Sequence, residues 1–131
     1  MSNLGRNADG TKHVYLKLTI PGFELRDITE IAKYKDIQTL DLSFNQLKDL
    51  SPLSELRYLL NLNVSNNKLE KLFDFLPPNN LKEANFAFNE ISEIGQLTDY
   101  HYLQTLILNR KFFDIFFVQI LQITLVIILR Q

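Results

Sequence analysis

The side chains whose type and spacing could do chemistry in this sequence are amides. Asn45, Asn67 and Asn89 follow one another at intervals of 22 residues. A carboxamide carries both a donor and an acceptor, so one placed at a chain turn satisfies backbone groups that have no strand partner. A column at one spacing therefore implies turns tied to one another. The parts of a catalytic site are not set out in this way. His13 and His101 are the only histidines, there is no cysteine, and Gly5, Gly10, Gly22 and Gly95 are too scattered for a phosphate loop. No serine stands in a nucleophile setting. Asp41 could be imagined as a base, but its place is a solvated strand face, hydrogen-bonded to neighbours such as Asn63. The chain reads as a non-enzyme without a metal or cofactor site.

The elements that position these amides repeat with them. Leu40, Leu42, Asn45 and Leu47 recur 22 residues on as Leu62, Val64, Asn67 and Leu69, and again as Ala84, Phe86, Asn89 and Ile91. One copy earlier the frame is Leu18, Ile20, Phe23 and Leu25. One copy later it is Leu106, Leu108, Lys111 and Phe113, which keeps only its first half. The spacers obey the period too, with Ile28, Leu50, Leu72 and Ile94 in one column and Tyr15, Ile37, Leu59, Leu81 and Leu103 in another. Alternation such as Leu40 and Leu42 inward against Thr39, Asp41 and Ser43 outward predicts a short strand in each copy. Strands are expected over 16–20, 38–43, 60–65, 82–87 and 104–109, forming one parallel sheet. Between them, Ile28, Ile31 and Ala32 suggest a short helix, Ser51 and Pro52 its cap and first position in the next coil, while Pro77 and Pro78 enforce an extended segment. Phe23, in the ladder position of the first coil, reads as part of an N-terminal cap.

The frame LxxLxLxxNxLxxL at this period resembles that of the leucine-rich-repeat family. The repeat length and the second-half pattern IxxLxxL are similar to the short intracellular class typified by the regulatory subunit of protein phosphatase one. More narrowly, "YLKLTI", "RDITEI", "LSPLSELRYLLNL" and "ANFAFNEI" resemble, in this order, the start of the leucine-rich-repeat proteins of the axonemal radial spoke. The resemblance implies an α/β solenoid, a horseshoe fragment of about five coils with a parallel concave sheet. It also implies a non-enzymatic structural component of motile cilia and sperm flagella, docking at the radial spoke head. Family members carry further repeats and a longer C-terminal portion.

Composition agrees with a small solenoid and narrows its partners. In 131 residues, 46% of them hydrophobic, one repeat core can be filled. With 14 basic and 15 acidic residues spread along the chain there is no electrostatic footprint for nucleic acid. The absence of cysteine and a polar start without a signal-peptide stretch lead to the expectation of a cytoplasmic, reducing location. Asn63-Val64-Ser65 matches a glycosylation sequon but reads as strand chemistry. Residues 1–12 are expected as a disordered tail, 13–111 as the solenoid and 112–131 as an apolar tail outside the repeat.

The outward strand positions form the expected protein-binding face. Its columns include Thr39, Asn61 and Glu83, then Asp41, Asn63 and Asn85, then Ser43, Ser65 and Ala87. The column just before the ladder is Gly22, Phe44, Asn66, Phe88 and Arg110. Phe44 and Phe88 either anchor a partner from the concave rim or fold over the turn onto the core edge. Three readings of the apolar tail stand side by side. As a helix, residues 112–129 would be a marginal membrane anchor, since Asp114, Gln119, Gln122 and Thr124 oppose insertion; alternatively Phe113 and Phe116 fill a fifth coil and the rest caps the open end. The reading favoured on composition is sequence read past a splice junction or frame change. The functional alternatives are thus a membrane-tethered module or a phosphatase-regulatory repeat protein.

Overall fold

The computed structural model describes residues 2–6, 10, 13–76, 78, 80–94, 99–109 and 126–130. Strands β1 (Ser2–Arg6), β2 (His13–Thr19), β3 (Thr39–Asp41), β4 (Asn61–Asn63), β6 (Glu83–Asn85), β8 (Thr105–Asn109) and β9 (Val126–Arg130) form a seven-stranded sheet in that order. From β2 onward every pairing is parallel, and Leu18, Leu40, Leu62, Ala84 and Leu106 lie side by side in one row. The row exists because the apolar frame recurs at one interval, so each strand meets the next in the same register. A second, two-stranded parallel sheet joins β5 (Lys71–Leu72) to β7 (Glu93–Ile94) on the other side of the coils. Between the two sides lies the core, in which Leu40, Leu42, Leu47, Leu50, Leu53, Leu56 and Leu59 are almost fully enclosed.

The asparagines hold successive coils together. Asn67 Nδ2 donates to Val64 O and Ser65 O within its own turn, at 3.0 and 3.2 Å, and to Leu42 O of the preceding coil at 3.0 Å. Its Oδ1 accepts from Leu47 N at 3.0 Å. Asn89 repeats the arrangement on Val64 O and Leu69 N, and Asn45 on Ile20 O and Leu25 N, with Phe23 N as a further donor. All three asparagines are buried.

The side opposite the concave sheet varies from coil to coil for a local reason. Asp27 Oδ1 accepts from Thr29 N, and Asp49 Oδ1 from Ser51 N, both at 2.8 Å, and each turn opens a short 3-10 helix, Thr29–Lys33 and Ser51–Glu55. Ser51 is therefore not the cap expected from the sequence. The residue before that helix is Leu50, no side chain caps it, and Asp49 supplies the acceptor that organises the turn. In the next coils Lys71, which has no acceptor to offer, and Glu93, with a longer side chain, occupy the aspartate position, and the chain is extended there as β5 and β7. Phe73, Phe75, Phe86 and Tyr100 then fill the space, with ring centroids 5.0 Å apart for Phe73 and Phe86 and 4.2 Å for Phe73 and Tyr100.

Both ends differ from the sequence reading. Residues 1–12 were expected as a disordered tail, yet Ser2–Arg6 pair antiparallel with β2. The free N–H and C=O groups along the edge of β2 accept a polar strand as readily as an apolar one. Gly5 permits the approach, since a Cβ there would lie 2.1 Å from Leu16 Cδ1. Phe23 does not cover the first coil; it is 67% exposed, because the backbone turns its side chain away from the core. At the far end Val126–Arg130 continue the sheet, pairing Ile127 with Leu106 and Leu129 with Leu108. That offset is 21 residues, one fewer than in the other coils, so the 22-residue frame does not find it. A helical anchor running to Leu129 is incompatible with β9, and among the described residues no helix is long and apolar enough to cross a membrane. The placements expected for Arg110, Lys111, Phe113 and Phe116 fall outside the described residues.

Asn67→Ala leaves Leu47 N without its acceptor and takes one of two donors from each of Leu42 O, Val64 O and Ser65 O, which keep Asn45 Nδ2, Asn89 Nδ2 and Phe44 N, and is expected to cost about 1–3 kcal/mol. Because each coil leans on its neighbours, the urea midpoint of the whole solenoid falls; a midpoint equal to that of the parent would reject the ladder. The second expectation concerns β9, an edge strand of Val, Ile and Leu. It makes the full chain self-associate in detergent-free buffer, whereas residues 1–111 remain disperse. Light scattering compares the two, and a monodisperse full chain overturns this account.

Candidate functional site

The outward positions of β3, β4 and β6 line an open polar groove of about 620 Å³. Its outer column, Thr39, Asn61 and Glu83, lies in register across the three strands, and Asn61 Nδ2 reaches Thr39 Oγ1 only at 3.5 Å. The next column is engaged by the fold itself. Asp41 Oδ1 accepts from Ser43 N at 2.9 Å, Asn63 Oδ1 from Ser65 N at 3.1 Å and Asn85 Oδ1 from Ala87 N at 3.0 Å. Each closes the end of its strand onto the residue two places on, so Asp41 is bonded to Ser43 and not to Asn63 as the sequence suggested. Ser43, Ser65 and Ala87, expected to face outward, are buried. The chain has already begun to turn inward where they stand.

The rim is built from residues in the left-handed backbone region. Gly22 has φ of 72°, Phe44 57°, Asn66 56° and Phe88 57°. The conformation reverses the chain between strand and ladder while its amide reaches the next coil, Phe44 N donating to Ser65 O at 3.0 Å and Asn66 N to Ala87 O at 2.9 Å. Phe88 N donates instead to the Asn109 side chain. Glycine and asparagine adopt this region readily, whereas for phenylalanine it costs on the order of 1–2 kcal/mol. The rings gain only partial burial in exchange. Phe44 is 63% exposed, which stands against the packed-edge alternative there, whereas Phe88, at 45%, is about half covered. With one coil between them, they stand about 10 Å apart along the rim.

Among the described residues no group of three or more His, Asp or Glu side chains could hold a metal ion. The groove offers hydrogen-bonding groups and the rim offers apolar area, which is the division of labour of a protein-binding surface. Sequence spacing found the columns but could not show which amides the turns consume.

No protein-family model matches the chain. It is 49% identical over 82 residues to the human (Homo sapiens) leucine-rich repeat and guanylate kinase domain-containing protein, a match covering 63% of this chain and 10% of that protein. It is 36% identical over 94 residues to human leucine-rich repeat-containing protein 23, covering 71% of this chain and 27% of the relative. The bovine (Bos taurus) protein of the same name gives 37% over 94 residues with the same coverage. The chain thus spans about a tenth to about a quarter of the length of these relatives. Among solved structures, an internalin from Listeria monocytogenes superposes with a TM-score of 0.52 at 21% identity, over 78% of this chain and 39% of its own, a likeness of fold.

Asp74 lies away from the groove, in the aromatic side of the third coil. Its Oδ1 is buried without a hydrogen-bond partner. Burial, reinforced by the charge of Asp49, raises its carboxyl above the ordinary value of 3.8, although backbone groups of Asp74 and Leu50 and the Lys71 charge pull the other way. Burial likewise raises the Tyr100 phenol, whose hydroxyl donates to Phe75 O at 2.9 Å. A carboxyl raised in the folded state favours folding while protonated and loses that contribution as pH climbs through its folded value. Asp74→Asn keeps the shape without the charge. Its stability relative to the parent is expected to improve progressively from about pH 3.5 to about pH 7. Thermal melts across that range check it; a difference that stays flat rejects the assignment.

Proposed function

This chain is a leucine-rich-repeat protein resembling leucine-rich repeat-containing protein 23, and we propose that it is a non-enzymatic scaffold that binds protein partners across its concave face. The observation that carries the reading is the pair Phe44 and Phe88, held exposed in a backbone conformation that disfavours them. Strain retained at surface positions where much of each ring stays exposed is accounted for by a ligand that covers the rings. Aromatic anchors above a polar surface are the usual energetic centre of a protein interface. Thr39, Asn61 and Glu83, whose side chains the turns do not consume, supply specificity beside them.

The finer proposal is that the chain serves in the axoneme of a cilium or flagellum, with a radial-spoke component as partner and a cytoplasmic location. It is supported by the resemblance of the opening strings and by the 36% identity over 94 residues to leucine-rich repeat-containing protein 23. The test uses radial spokes isolated from demembranated axonemes. The full chain binds them, and the double variant Phe44→Ser/Phe88→Ser does not, while its melting temperature stays within about 2 °C of the parent, as for exposed positions. A lowered melting temperature with binding intact overturns the rim as an anchor, and failure of the parent to bind spokes overturns the axonemal form.

A further inference from the structure

Past the ladder, on the narrow edge of the first three coils, Arg26, Gln46, Lys48 and Lys68 line a groove of about 370 Å³. The three chain passes are stitched together here by Gln46 N donating to Leu25 O at 2.8 Å and Lys68 N to Leu47 O at 2.9 Å. One cation thus comes from each of three consecutive coils, and about 10 Å separates the first from the last. Arg26 Nε donates to Gln46 Oε1 at 3.0 Å, which holds the guanidinium along the groove. Among the described residues the ion pairs are Lys33–Glu30, Lys35–Glu55 and Lys71–Glu93, so none of these three cations is neutralised by a neighbouring carboxylate. Immediately before this edge stand exposed rings from the same passes. Phe44 precedes Asn45, and Phe23, whose amide donates to Asn45 Oδ1, precedes Arg26 by three residues.

We propose that this edge binds an acidic, extended segment of a protein partner, its carboxylates on Arg26, Lys48 and Lys68 and its apolar residues toward Phe23 and Phe44. Charge complementarity selects the occupant. Three cations spread over about 10 Å match two carboxylates two or three residues apart on an extended peptide, about 7–10 Å, each shared between neighbouring cations. A continuous polyanion is disfavoured, because it would run past the three cations onto exposed Glu24, Asp49 and Glu70, which stand within two residues of them in the chain, whereas a short segment with few carboxylates ends on the cations. The net charge of -1 supplies no broader attraction to either.

The apolar half of this proposal rests on the reading of Phe44 as a partner anchor; the cationic half does not. Fluorescence anisotropy of the full chain tests it with a labelled synthetic peptide of Glu and Asp flanking two leucines, against the same peptide with Gln and Asn for every acid. Single-stranded RNA and phosphatidylserine vesicles serve as the competing probes. The acidic peptide is expected to bind roughly tenfold or more tightly than its neutral counterpart and to weaken from about 50 mM to about 300 mM salt. Lys48→Glu/Lys68→Glu abolishes that preference, Lys48→Gln/Lys68→Gln reduces it, and unchanged melting curves show that both variants fold. Equal binding of both peptides, indifference to the charge variants, or preference for RNA or vesicles overturns the proposal. Loss of spoke binding in Phe44→Ser/Phe88→Ser with no effect of the charge variants overturns the edge and leaves the rim reading standing. Charge-dependent peptide binding that ignores Phe44 and Phe88 supports the edge and counts against the rim.

Discussion

The structure depends on one interaction, the side-chain amide that each ladder asparagine spends on two coils at once. A coil of this length cannot bury its apolar residues alone, and a stack of coils stays in register only if every turn falls at the same level. Asn67 enforces this by donating to Leu42 O behind it and accepting from Leu47 N, while bonding Val64 O in its own turn. A serine could not supply the donors and the acceptor in that geometry, and an aspartate would place a charge at a site only 8% exposed. Once the turns are level, Leu40, Leu62 and Ala84 must pair, and the polar positions between them must form straight columns.

The same constraint explains the rim. To pass from strand to ladder the chain needs a left-handed residue, and its amide must point to the following coil. Gly22, Phe44 and Asn66 donate to Ser43, Ser65 and Ala87 in succession. At Phe88 the acceptor changes from a backbone carbonyl to the Asn109 side chain. Asn109 belongs to the same column as Ser65 and Ala87, so the amide partner is provided by the same position through different atoms. The step from β8 to β9 is also the one that measures 21 residues instead of 22. Both departures occur at one coil, where the ladder asparagine gives way to Lys111 in the sequence.

The fold was legible because inward leucines and buried asparagines have no other solution at that spacing. Strand positions, register and the core columns all follow from that period. What escaped was information that period does not carry. β1 is a polar strand that completes an edge, with no apolar alternation to announce it. β9 is apolar but out of phase. Asp27 and Asp49 stand two residues before Thr29 and Ser51, a local signal that distinguishes the helical coils from the extended ones, yet it was eclipsed by Ser51 and Pro52 as an apparent cap. Exposure of Phe23 and Phe44 could not be read because apolar type argues for burial, whereas backbone conformation at the turn decides it.

The candidate site was legible as a set of columns and illegible as a division of roles. An asparagine on a concave strand looks the same in sequence whether it faces a partner or closes its own turn. Here Asp41, Asn63 and Asn85 have given their Oδ1 atoms to the amides two residues on. Replacing one of them would disturb the strand end before it disturbed recognition, so loss of binding in such a variant could not distinguish contact from fold. Thr39, Asn61 and Glu83 carry no such duty to the turn. The discriminating chemistry of this surface therefore falls to that outer column, to the rings of Phe44 and Phe88 and to the cations beyond them, whose side chains the fold leaves exposed or half-buried.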